Sequence, residues 1–118
     1  MVFGLMGCGE GATPIYGVCE SPADCGGAAT ACEFFSARNS EGTTTRAHVC
    51  STLCNEDRDC PEPRRATGGG AYCLDINGYD YSCYSGCVSD DECEPGLVCD
   101  FVPVASGIEL LLCVEPPS

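Results

Sequence analysis

From Leu74 to Ser82 the chain reads LDINGYDYS, with apolar and polar residues alternating on both sides of Asn77-Gly78. A period of two puts alternate side chains on opposite faces of a strand, and Asn-Gly supplies the two positive-φ residues of a type I′ turn. The pattern predicts a hairpin that sets Ile76 against Tyr79, Leu74 against Tyr81 and Tyr72 against Cys83. Cys73 then falls opposite Ser82, on the other face from Cys83. Asp75 falls opposite Asp80, a like-charge pair that needs solvent screening or a cation. Residues 100–112, DFVPVASGIELLL, hold two β-rich runs around Ala105-Ser106-Gly107. A third pair is EFFSAR and TTTRAHV on either side of NSEG. The expected fold class is small and disulfide-rich, mostly β-hairpins and loops.

The cysteines give these hairpins a frame. Twelve of them fall into three sets of four: Cys19, Cys25, Cys32, Cys50; Cys54, Cys60, Cys73, Cys83; and Cys87, Cys93, Cys99, Cys113. Each set opens with C-x5-C (CESPADC, CNEDRDC, CVSDDEC), and both hand-overs are three residues long, CSTLC and CYSGC. The gap from second to third cysteine varies, as does that from third to fourth. A constant head with variable loops marks tandem modules. The expected organisation is a leader and tether over 1–18, then modules over 19–50, 51–86 and 87–118. Each module should hold a short turn between its first two cysteines and a hairpin ending at the fourth. With Cys73 and Cys83 on opposite faces, third and fourth should not bond each other. Two connectivities remain per module, and first-to-third with second-to-fourth is favoured.

Composition says why so many staples are present. Leu, Ile, Val and Phe number 22 of 118 residues and there is no Trp. Ordering each residue costs roughly 1.5 kcal/mol, which so few large side chains do not offset. Six disulfides at roughly 2–4 kcal/mol each would, making a hydrophobic core nearly dispensable and an extended shape the expectation. Thirteen cysteines in a chain this short point to an oxidising compartment. Zinc is the alternative, but the chain has no C-x2-C pair and His48 is its one histidine. The net charge of −13, from 18 acids and five arginines, argues against nucleic acid and anionic lipid surfaces. It suits solubility, cationic partners or divalent ions.

The thirteenth cysteine is Cys8, in VFGLMGCGEGATP. LMGC resembles a bacterial lipobox, with Leu5 at −3 and a small residue at −1. The resemblance implies that Cys8 is acylated and becomes the first residue of a mature lipoprotein, touching the membrane through that anchor only. Seven residues, none basic, precede Cys8, whereas such a signal has a charged start and a longer apolar run. Either the true start lies upstream of Met1 or the likeness to a lipobox is chance. The alternative is that Cys8 pairs with another chain, so oligomers are allowed.

CVSDDECEPGLVC resembles the opening of the Dickkopf amino-terminal cysteine-rich region. It has an acid at the fourth position, Asp90, an acid before the second cysteine, Glu92, and Gly96 ahead of a bulky pair and the third cysteine. The likeness extends to CNEDRDCPE in the second module and to the cysteine frame alone in the first, where Pro22 replaces the acid. A whey-acidic-protein core is also similar, but it requires adjacent cysteines, and Cys99 is followed by Asp100. Tandem heads behind a lipobox resemble surface lipoproteins of GC-rich bacteria. The resemblance implies a fold element and no activity.

Few residues suit chemistry. Glu56, Asp57, Asp59, Asp90, Asp91, Glu92 and Glu94 are oxygen ligands of the kind Ca²⁺ takes, but the D-x-[DN]-x-[DN]-G loop is missing. Asp57 and Asp90 are expected instead to cap a turn two or three residues on. His48 has no partner Ser or Cys motif and there is no G-x-S-x-G, so neither an enzyme nor a cofactor is expected. Binding candidates are Tyr72, Tyr79, Tyr81 and Tyr84, since tyrosine offers large contact area at low entropy cost. Leu110 and Leu112 join them, because IELLLC is apolar on both faces. Residues 61–71, PEPRRATGGGA, carry the basic pair Arg64-Arg65 and would be the reactive loop of a knottin-like protease inhibitor. The expected role is a surface-anchored or secreted binding or structural protein, at the bacterial outer membrane or cell surface. Its partner would be a protein or cell-surface ligand. The alternatives are that inhibitor and a calcium-dependent adhesion module.

Overall fold

A computed structural model describes residues 12–27, 29–64, 70–76, 80–104 and 107–116. Three antiparallel hairpins follow one another: β1 (Ala31–Arg38) with β2 (Thr44–Ser51), β3 (Ala71–Leu74) with β4 (Ser82–Ser85), and β5 (Val98–Pro103) with β6 (Glu109–Val114). A single 3-10 turn precedes each hairpin, at Pro22–Asp24, Asp57–Asp59 and Asp90–Glu92. This is the small, disulfide-rich β fold expected from the alternation and the cysteine frame.

The heads fold alike because the acid before each second cysteine reaches back to the chain's entry. Asp24 accepts the amides of Glu20 and Ser21 at 2.8 and 3.1 Å. Asp59 accepts those of Asn55 and Glu56, both at 3.0 Å, and Glu92 that of Val88 at 2.8 Å. These are the orphan donors a turn leaves at its start.

All six disulfides run first-to-third and second-to-fourth. They are Cys19–Cys32, Cys25–Cys50, Cys54–Cys73, Cys60–Cys83, Cys87–Cys99 and Cys93–Cys113, with Cα separations of 5.5–6.0 Å. This is the favoured pairing, but the third and fourth cysteines do not lie on opposite faces. Cys73 lies directly opposite Cys83, as Cys32 does Cys50 and Cys99 does Cys113. The β3–β4 register sets Tyr72 against Tyr84 and Leu74 against Ser82, one residue away from the two-residue-turn alignment. That shift also takes Asp75 out of register with Asp80. Asn77, Gly78 and Tyr79 lie outside the described residues. The physical reason for the register is the head: the 3-10 turn lies over one face of the hairpin. Both hairpin cysteines must point to that face to reach Cys54 and Cys60.

In each module the residue before the first cysteine adds an isolated bridge to the hairpin. Val18 bridges Val49, Leu53 bridges Ser82, and Gly86 bridges Leu112. The amides of Cys19, Cys54 and Cys87 donate to the carbonyls of His48, Tyr81 and Leu111. The three-residue hand-over is therefore the end of one hairpin and the edge of the next.

The hairpins share a core, contrary to the expectation of an extended array with no need of one. Phe35, Ala47 and Val49 of the first hairpin pack with Tyr84 of the second and with Leu97, Val102, Leu112 and Val114 of the third. A smaller cluster joins Tyr16 to Cys60, Cys73 and Cys83. The radius of gyration is 14.0 Å, close to the ~13.5 Å of a compact domain of this length. The few large side chains reach this by concentration. Alternate residues of β1 and β2 point inward, and β6 is covered on both faces.

Candidate functional site

Most carboxylates of the heads are engaged in structure. Asp57 accepts the amide of Cys73 at 2.8 Å, and Asp90 accepts that of Cys99 at 2.8 Å. The expected caps two or three residues on are thus corrected: these acids tie each head to the first strand of its own hairpin. The local capping falls to Asp24, Asp59 and Glu92 instead. Glu56 pairs with Arg58 at 2.9 Å. Glu94, only 6% exposed, takes a two-pronged bond from Arg64 at 2.8 Å on each arm. That pairing raises the Arg64 guanidinium pKa, through the Glu94 hydrogen bond first and its charge second. Among the described residues, the ligand-type atoms grouped in threes are sulfurs such as Cys19, Cys25 and Cys50, and these are disulfides.

The binding candidates divide by burial. Tyr84 is in the core, edge-on to Phe35 with ring centroids 5.5 Å apart, and Leu112 is fully buried. Neither is available to a partner, because the third hairpin packs on the first and closes over both. Tyr72 and Leu110 are half-buried against that core. Tyr81 remains exposed at 55%. Tyr79, Arg65 and Cys8 lie outside the described residues.

Exposed apolar residues mark the surface that remains. Leu53 stands beside Tyr81, since Cys54 donates to the Tyr81 carbonyl at 3.1 Å. An open cleft of about 280 Å³ lies between them, lined also by Asn55 and Asp80. His48 has no partner motif in the sequence, yet its Nδ1 lies 3.0 Å from Glu115 Oε2, and its amide donates to the same oxygen. Phe34 packs against its ring at 4.4 Å and Arg46 approaches Glu115 at 3.8 Å. A second cleft of about 280 Å³ lies here, lined by Val18, Glu20, His48 and Glu115. The lone ring in a β-rich stretch gave no sign of this in sequence, because Glu115 is 67 residues away. Comparison with known protein families, curated proteins and solved structures finds no match.

Proposed function

We propose that this chain is a non-enzymatic binding or structural protein, working in an oxidising compartment and held at a bacterial surface through an acylated Cys8, or secreted. One observation carries the reading: six disulfides in three repeats of a single frame, with Asp24, Asp57, Asp59, Asp90 and Glu92 all accepting backbone amides that hold that frame. Such a chain is stable only where thiols stay oxidised. Its polar groups build a scaffold, and the two clefts among the described residues are open to solvent.

The Dickkopf-like likeness of the heads belongs to the same proposal. Asp57 and Asp90 hold the third cysteine's amide, the acid before the second cysteine closes the turn, and Gly96 has φ of 93°. The motif residues are structural, which fits a binding scaffold. The inhibitor reading has less support, since Arg64 is held by Glu94 rather than presented. A calcium-dependent module has less as well, since Asp57, Asp59, Asp90 and Glu92 already accept backbone amides and Glu56 and Glu94 pair with arginines.

Intact mass of the protein from its native membrane or medium, before and after reduction, tests the reading. Twelve hydrogens gained on reduction and an acyl mass on the Cys8 peptide are expected. Free thiols among the twelve, or an unmodified Cys8 still preceded by Met1–Gly7, overturn the oxidised scaffold and the anchor respectively.

A further inference from the structure

The two clefts occupy the same place in modules 1 and 2. One lip is the residue before the first cysteine, Val18 or Leu53. The other is the ring two residues before the fourth cysteine, His48 or Tyr81. The likeness is built in by the backbone. The first cysteine's amide donates to that ring residue's carbonyl, at 3.0 Å in module 1 and 3.1 Å in module 2. In module 3 these positions hold Gly86 and Leu111, which supply neither lip nor ring.

Each cleft combines three things. The aliphatic lip is solvent-exposed, Val18 at 40% and Leu53 at 61%. The ring faces it. A carboxylate stands at the rim, Glu20 in one and Asp80 in the other, while Glu115 in the first is already taken by His48 and Arg46. A long side chain with an apolar stem and a cationic end matches all three. The stem covers the lip and the cation meets the carboxylate; in module 2 the Tyr81 ring also offers a face to it. The whole chain favours the same occupant, because a net charge of −13 draws cations toward its surface. The chain's own Arg46, Arg58 and Arg64 already pair with Glu115, Glu56 and Glu94.

We propose that the two clefts form a tandem docking surface for a basic segment of a partner protein, each cleft taking one arginine or lysine side chain. The proposal rests on the reading of the chain as a binding protein and names the chemistry of its partner.

The test uses the oxidised full-length chain and two probes, hexa-arginine and hexa-glutamate peptides, followed by calorimetry and by amide shifts in NMR. Hexa-arginine is expected to bind, with the largest shifts at Val18, His48, Leu53 and Tyr81, and hexa-glutamate is not. Val18→Ser with Leu53→Ser leaves the charge unchanged and is expected to weaken hexa-arginine binding about 10-fold, the loss of two exposed apolar anchors. Asp80→Asn with Glu20→Gln should weaken it further and flatten its salt dependence. Equal affinity in the Val18/Leu53 variant, with shifts spread over the acidic heads, would show diffuse charge attraction and overturn the proposal. So would tighter binding of hexa-glutamate, or no binding of hexa-arginine. Those failures leave the mass of Cys8 and of the six disulfides unaffected, so they do not bear on the oxidised, anchored scaffold.

Discussion

Tyr16 shows how much one residue carries when the core is small. Its φ is 75°, a left-handed conformation that costs a bulky L-residue energy and persists only where the surroundings hold it. Here its amide donates to the Cys50 carbonyl at 2.7 Å and its hydroxyl to the Pro61 carbonyl at 2.5 Å, so module 1 is fastened to the entry of module 2. Burial lifts its phenol pKa well above the ordinary 10.0. The Tyr84 phenol is raised too, by burial first and by the charges of Glu33 and Asp75, against an opposing hydrogen bond with Ser82. Both pKa values are higher folded than unfolded, so the neutral form is favoured by folding. Below the unfolded value the two states bind the same protons and the contribution is complete. Above it the unfolded chain ionises first, and stability falls as pH rises. The melting temperature should hold to about pH 9 and drop beyond about pH 10, the unfolded phenol value. Short melts read by tyrosinate absorbance check this, and a flat profile to strongly alkaline pH would contradict it. Tyr16→Phe should cost about 1 kcal/mol at neutral pH, the net worth of one hydrogen bond.

At the level of the element, the unit is a head locked onto a hairpin by two disulfides and one carboxylate. The Asp57 bond to Cys73 and the Asp90 bond to Cys99 fix the first strand under its head. Module 1 has Pro22 at that position, which offers no acceptor and instead sets the turn by its fixed φ. Asp57→Ala and Asp90→Ala should each cost about 1–2 kcal/mol, less than a buried charged hydrogen bond because the heads are exposed. The matching amide, Cys73 or Cys99, should exchange its hydrogen roughly 10-fold faster, while Cys32 is unchanged. Exchange followed by NMR decides it; equal acceleration at all three would mean general loosening. These elements were legible in part. Alternating residues around Asn77-Gly78 and the repeated C-x5-C announced a turn and a hairpin per module. Register was not legible, because the local turn chemistry is satisfied by a two-residue connection. The demand that Cys73 and Cys83 share a face comes from a head folded elsewhere in the chain. The partners of Asp57 and Asp90 were hidden likewise, lying 16 and 9 residues on. The run IELLLC, apolar on both faces, suits a docking patch. An apolar pattern on both faces is equally the mark of a strand covered twice, and that is why Leu112 is buried.

The whole molecule departs most from the picture of beads on a string, and the reason lies between modules 1 and 3. The loop between β1 and β2 reaches the third hairpin. Asn39 is buried, and its Oδ1 accepts the amides of Glu41 and Thr43 at 3.0 and 3.1 Å, which shapes the loop. Its Nδ2 donates to the Phe101 carbonyl at 3.2 Å. Next to it, Ser40 donates through its amide and its hydroxyl to Glu109, at 2.6 and 3.0 Å. At the other end of the same hairpin, Glu115 binds His48 and its amide donates to the Arg46 carbonyl at 2.8 Å. Arg64 of module 2 reaches Glu94 of module 3. With Phe35 and Tyr84 in one core with Val102 and Leu112, no module buries its apolar residues alone. Independent modules would melt in steps, whereas a shared core gives one transition. Denaturation of the oxidised chain should therefore be a single event by both far-UV dichroism and tyrosine fluorescence. Asn39→Ala strips the loop of its internal acceptor and the third hairpin of a donor, leaving the Phe101 carbonyl unmet. It should lower the midpoint by the equivalent of about 2 kcal/mol while the slope against denaturant stays the same. A variant that instead splits the transition in two, with module 3 melting first, would show that the loop contacts rather than the core make the three modules one molecule.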